Sequence, residues 1–226
     1  MTYNQNNVSK QCFNTGTALS SGTSPGRLMP PAKQRTAALK ERVLVGAVDL
    51  LADVGAAGFT ARSLAARADT SAPAVYELFG DKSGVVRAVY FEGFRLLSAE
   101  LHEVAETGDP VADLRVLAAA YRRFVVQRRE LAEVMFSRPF TDFSPGAEEL
   151  RATSSVRECI VERIRRCVQA GAFAGDETDL AHIFVALVQG LAFAEAADRL
   201  GRSRASVDRR WRAALRALFT GFAPRS

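Results

Sequence analysis

The sequence predicts an all-α protein, and three observations predict it. Apolar residues recur at three- and four-residue spacing along most of the chain, alanine is abundant, and the alternation expected of strands is scarce. Turn-forming residues punctuate these periodic stretches, at Gly55, Gly80, Gly108 to Pro110, Gly171 and Gly201. Residues 60–82 read as two short helices joined by a tight turn. The order of elements divides the chain into a disordered leader over 1–32, a three-helix domain over 33–81 and a helical body over 82–224.

The first helix is expected over 34–54, with Leu39, Val43, Ala47, Leu50, Leu51 and Val54 at helical spacing. Gly55 and Gly58 end it, and Phe59 is placed to plug the core. Thr60 can cap the second helix and Ser71 the third, since each hydroxyl can accept from an orphan amide of the first turn. Pro73 falls in that first turn, where its missing N–H costs nothing. Leu64, Ala68, Val75 and Leu78 must meet where the two helices cross, and Ala65 is small where the backbones come closest. A helix-turn-helix of this kind lays its second helix into a DNA major groove.

A fourth helix is expected over 82–105, with Val85, Val86, Val89, Tyr90, Phe94, Leu97, Leu101 and Val104 as its stripe. It would be a rod of roughly 35 Å, shared by both domains. After the break at Gly108-Asp109-Pro110, helices are expected over 111–127 and 130–136, then a loop over 138–146. Further helices are expected over 147–170 and 177–200. The last, capped by Ser203 or Ser206, should reach Phe222. Residues 180–197 are apolar nearly all round, which suits a helix covered on one side by its own domain and on the other by a partner. Ala186, Gly190 and Ala194 would let a second helix approach closely, and Trp211, Leu215 and Leu218 give the last helix a stripe of its own. A homodimer through these residues is the favoured reading; an intramolecular core is the alternative.

The run from Arg35 to about Tyr90 resembles the DNA-binding domain of the TetR family of bacterial transcription regulators. The resemblance rests on Phe59-Thr60, Leu64-Ala65, Ser71, Val75-Tyr76, Phe79 and Lys82, followed by a long amphipathic helix. Two departures stand out. Asp69-Thr70 replaces the usual Gly-Val of the turn, and Glu77-Leu78 replaces the common His or Tyr before Phe79. The resemblance implies a non-enzymatic, cytoplasmic regulator that binds double-stranded DNA as a homodimer and carries a small-molecule effector pocket in its body. It also makes repression the commoner outcome.

Each residue of the DNA end has a physical task. Thr60, Arg62 and Ser63 sit where amides, a hydroxyl and a guanidinium can hold phosphate. Ser71, Ala72, Pro73 and Ala74 form the leading edge of the recognition helix, with small apolar groups suited to thymine methyls. By resemblance, Tyr76 gives its hydroxyl to a phosphate. Glu77 can accept from a cytosine amine, and Lys82 can clamp a phosphate at the head of the long helix. Arg35 and Lys40 could extend the footprint. The charge distribution does not make this case by itself, because the densest basic run lies over 199–216.

For the effector pocket the candidates are Tyr121, Phe124, Met135, Phe136, Phe140 and Phe143, an unusually aromatic helix-loop segment, with Phe184 and Gln189 from the helix over 177–200. The effector itself is unknown from sequence and is expected to be apolar, since few charges fall among these positions.

Composition narrows the alternatives. The chain has 226 residues, 48% hydrophobic and 24% charged, ordinary for a soluble globular protein with real cores. Three scattered cysteines, Cys12, Cys159 and Cys167, suit neither a disulfide framework nor a metal site. His102 and His182 lack a Glu-x-x-His partner, and no phosphate-cradling glycine loop or nucleophile elbow is present, so no cofactor is expected. The most apolar run, 183–188, is too short to span a bilayer, so no membrane partner is expected. Three rivals remain open at this point: a helical-bundle enzyme, a DNA-binding protein that senses no ligand, and a protein-interaction scaffold.

Overall fold

Leu39, Val43, Ala47, Leu50 and Leu51 fall on one side of a helix, and along that side α1 (Ala32–Val54) is buried. The computed structural model describes residues 32–137 and 144–224. All of the expected leader except Ala32 lies outside the described residues, as do Phe140 and Phe143. Among the described residues there are ten helices and no strand.

Gly55 stops α1 at φ 62°, a left-handed conformation that glycine adopts without steric cost, and Phe59 follows as a plug only 2% exposed. Next come α2 (Ala61–Arg67) and α3 (Ala72–Phe79). Their crossing buries Leu64, Ala65, Ala68 and Val75 to 4% exposure or less, with Leu78 packed beside them. α4 (Lys82–His102) then leaves the three-helix domain and enters the body.

The body consists of α5 (Pro110–Gln127), α6 (Arg129–Phe136), α7 (Ala147–Ala152), α8 (Ser154–Gln169), α9 (Glu177–Ala196) and α10 (Arg204–Phe222). α4 packs against α1 and α3 of the three-helix domain and against α5, α6, α7 and α8 of the body. α9 is long and apolar enough to cross a membrane by length and composition, and here it packs against α5, α8 and α10.

Three boundaries differ from the sequence expectation. α4 ends at His102 rather than at 105. The helix expected over 147–170 breaks at Thr153, whose hydroxyl donates to the Leu150 carbonyl at 2.7 Å, so α7 and α8 are separate. α9 stops at Ala196 because Asp198 turns the chain at φ 56°.

The α4–α5 corner is held by α8. Arg163, 4% exposed, donates to the carbonyls of Val104 and Ala105 just beyond the end of α4. Arg166 donates to the Thr107 carbonyl at 2.7 Å and to Asp113 at 3.0 Å. Asp113 also accepts from the Thr107 hydroxyl at 2.6 Å and from its amide at 2.8 Å. The two Thr107 bonds, with Arg166 assisting against the effect of burial, hold the Asp113 carboxyl below its ordinary range. A carboxylate so depressed contributes stability in full above about pH 4, and that contribution is lost as pH falls through the lowered value. Asp113→Asn is therefore expected to lower the urea midpoint at neutral pH, with the gap to the parent closing progressively below about pH 4.

Candidate functional site

The recognition helix is fixed at both ends by local chemistry. Thr60 Oγ1 accepts from the Ser63 amide at 3.1 Å, and Ser63 Oγ accepts from the Thr60 amide at 3.1 Å, a capping box that starts α2. Asp69 turns the corner between α2 and α3 at φ 49°, a conformation that an Asp tolerates better than most residues. Ser71 starts α3 by accepting from the Ala74 amide at 3.3 Å, and Pro73 occupies its first turn. Gly80, at φ 82°, stops it. Asp81 then starts α4 by accepting from the Gly84 amide at 2.8 Å.

What α3 presents outward follows from that frame. Val75 faces the core, Leu78 and Phe79 are half-buried, and Pro73, Tyr76 and Glu77 are exposed, Tyr76 to 43%. Ala72 and Ala74 are half-buried at the same leading edge. Thr60, Arg62, Ser71 and Lys82 are exposed around it. Lys40 of α1 sits 5.7 Å over the Phe79 ring. Two side chains are more committed than the sequence suggests. Ser63 Oγ lies 3.0 Å from the Thr60 carbonyl and 3.1 Å from that of Gly58, so it is a strut of the cap. Arg67 is paired with Asp53 of α1 at 2.5 Å.

A cavity of about 310 Å³ lies in the body, within the usual size range of ligand sites. Tyr121 of α5, Met135 and Phe136 of α6 and Gln189 of α9, four of the residues named as effector-pocket candidates, line it. Tyr90 and Phe94 of α4 line it too, although their spacing had marked them only as stripe positions. Ile160 of α8 and Val185 of α9 complete its apolar wall. Phe136 is the centre of the aromatic lining, its ring 5.4 Å from Phe94, 6.3 Å from Tyr121 and 6.0 Å from Phe193. The Tyr121 hydroxyl donates to Gln189 Oε1 at 3.3 Å, and burial pushes its pKa well above the ordinary value, so it stays a neutral donor. Phe124 and Phe184 do not reach the cavity. Phe124 is fully buried beneath the Arg128 guanidinium, and Phe184 stacks on Phe219 with centroids 6.5 Å apart.

The remaining expected residues divide between the open and closed faces of the last two helices. Ala186 and Gly190 of α9 are exposed beside Ile183, and a Cβ on Gly190 would meet nothing within 4 Å. Ala194, Leu215 and Leu218 are half-buried. Trp211 is not on an open face: it is 4% exposed, its indole N–H donates to Glu195 at 2.7 Å, and Arg122 covers its ring. The outward face of α10 carries Arg209, Arg212 and Arg216 instead of an apolar stripe.

Two family models match the chain. One, described as bacterial regulatory proteins of the tetR family, matches residues 43–89; the other, a tetracyclin repressor-like C-terminal domain, matches residues 114–218. The chain belongs to the TetR family. Among solved structures it is similar to a protein of unknown function from a Rhodococcus species, at 26% identity and a TM-score of 0.70, covering 82% of this chain and 95% of that one. PfmR, a TetR-family transcriptional regulator from Thermus thermophilus, matches at 20% identity and a TM-score of 0.61, covering 81% of this chain and 100% of that one. A TetR variant from Acinetobacter baumannii, solved in complex with minocycline, matches at 20% identity and a TM-score of 0.56, covering 80% of this chain and 93% of that one. The last two likenesses show the fold. No curated protein matches the chain. As a TetR-family member the protein is a non-enzymatic DNA-binding transcriptional regulator, and its all-α architecture is that of the family.

The position of the recognition helix in this TetR-family domain depends on Gly84. A Cβ there would lie 1.8 Å from the Phe79 carbonyl oxygen, a backbone atom that no side-chain rotation can move. Gly84→Ala is expected to destabilise the protein by about 2 kcal/mol or more, read from its urea midpoint at unchanged slope, because the end of α3 must shift.

Proposed function

We propose that the protein is a repressor that binds a palindromic DNA operator as a cytoplasmic homodimer and is released from it by a small apolar effector. One observation carries the reading: α6, whose Met135 and Phe136 line the cavity, also packs against α1 of the DNA-binding domain and against α4. Whatever fills the cavity presses on a helix that touches both domains.

The DNA end has the parts such a protein needs. The amides of Ala61 and Arg62 open α2 and have no intrahelical partner, so they suit a phosphate, with the exposed Arg62 guanidinium beside them. Ser71 accepts from Ala74 and still has its O–H to donate to a base or a phosphate. Ala72, Pro73 and Ala74 suit thymine methyls, Tyr76 a phosphate and Glu77 a cytosine amine. Lys82 closes the footprint. The exposed stripe of Ile183, Ala186 and Gly190 supports a second copy packing on α9, and a two-fold pair can straddle half-sites about 34–36 Å apart. The minocycline complex of a TetR-family neighbour supports the small-molecule reading.

Release is a population shift. An effector changes DNA affinity only by its differential affinity for the two spacings of the recognition helices. Selection from a random duplex pool is expected to return an inverted repeat; no preferred sequence at all would overturn the reading. On the selected duplex, Lys82→Ala should reduce the slope of log affinity against log salt by about 0.9, the loss of one phosphate contact. Val185→Trp, which fills the cavity from α9, should change operator affinity by about tenfold while leaving that salt slope unchanged, as titrated by fluorescence anisotropy.

A further inference from the structure

We infer that the cavity takes an amphipathic carboxylate, with its apolar part among Phe94, Phe136, Ile160 and Val185 and its charged head held by Arg157. This rests on the cavity being the effector site, and it replaces a wholly apolar effector with one whose apolar body carries a charged head. Among the described residues no Asp or Glu lines the cavity, so those residues offer a cationic head no counter-charge. Arg157 and His182 line both the cavity and an adjoining groove of about 660 Å³, which places them where the two meet. The acids nearby belong to the groove alone: Glu106, Glu158 and Glu162 line it and do not line the cavity.

Those acids are also taken in part. Glu106 faces Arg163 and Arg166, each at 3.6 Å, and Glu162 pairs with Arg165, which also reaches Glu177 at 2.8 Å. Arg157 makes no ion pair with any described residue, despite these neighbours. A guanidinium is planar and always charged, and its fork matches a carboxylate in two parallel hydrogen bonds. Inside the cavity the Tyr121 hydroxyl is already given to Gln189 Oε1, and the guanidinium of Arg157 at the mouth is the permanently charged group among the described lining residues. At about 310 Å³ the cavity is at the small end of ligand sites, which fits a chain or ring of modest size behind that head.

The test is isothermal titration of the full chain with octanoate, octanol and octylamine, which share one tail and differ in head charge. Octanoate is expected to bind about tenfold tighter than octanol, with octylamine weakest. Arg157→Gln should bring octanoate down to the affinity of octanol, and Arg157→Lys should retain part of the difference; Arg157 is exposed, so neither change should alter the melting temperature. Val185→Trp should abolish octanoate and octanol binding together. Equal affinities for octanoate and octanol, or an octanoate affinity indifferent to Arg157→Gln, would overturn the carboxylate assignment and leave the cavity as a ligand site. No binding by any of the three, or binding that survives Val185→Trp, would overturn both.

Discussion

Val85, Val86 and Val89 near the start of α4 and Phe94, Leu97 and Leu101 further along are all buried, and they belong to one continuous hydrophobic core. The first group lies where α4 meets α1 and α3, and the second runs on into the body formed by α5, α6 and α8. A single helix of 21 residues, about 32 Å long, therefore carries the core from one domain into the other. Its two ends are anchored as well. Asp81 caps the start beside the recognition helix, and Arg163 satisfies the carbonyls just beyond the finish. A close-packed rod held at both ends transmits displacement instead of absorbing it. The relative placement of the DNA-binding edge and the cavity depends on that constraint.

How much of this was legible in the sequence follows from how local each signal is. The helix-turn-helix was readable because its determinants are neighbours in the chain: Thr60 with Ser63, Ser71 with Ala74, and Gly80 at the stop. The break at Thr153 was not, since no glycine or proline marks it. It is held by Thr153 bonding back to Leu150 and by Arg87 of α4 pairing with Glu148 and Glu149, partners more than sixty residues distant. Periodicity also finds buried faces without saying what covers them. Tyr90 and Phe94 carry the same spacing as the core positions beside them, yet they face a cavity. Trp211 has the spacing of an interface residue, yet its own chain covers it through Glu195 and Arg122. The apolar circumference of α9 hid which side stays open, and only the packing of α5, α8 and α10 leaves Ile183, Ala186 and Gly190 exposed.

Charge follows a similar division. The basic run over 199–216 looks like the strongest anion-binding signal in the chain, but part of the arginine content there and on α5 is spent within the fold. Arg122 is fixed by Glu195 at 2.6 Å and Asp208 at 2.7 Å, and Arg210 by the Leu200 carbonyl at 2.9 Å. The same pairing holds the Asp208 carboxyl below its ordinary range. Arg209, Arg212 and Arg216 of α10 nevertheless stay exposed, as does the more modest charge around α3. Where charge sits relative to its partners carries more information than how much of it there is.

α6 lies between the cavity and the DNA-binding domain: its Met135 and Phe136 line the one, and it packs against α1 of the other. Gly93 of α4 lies so close to α6 that a Cβ would come within 2.6 Å of Met135 Sδ, which lets the two helices meet at the cavity wall. Phe136 follows at once, with three aromatic rings around it. A ligand seated against Phe136 cannot move that ring into the close-packed rings beside it without displacing α6 or α4. α4 is the stiffer of the two, being long and buried over most of its length, whereas α6 has only eight residues, about two turns. Displacement is therefore expected to start in α6 and to reach the recognition helix by two routes, through α1 on one side and through α4 at Gly93 on the other. Both routes end on the core in which Val75 is fully buried, so a shift in either one is expected to move α3 as a unit.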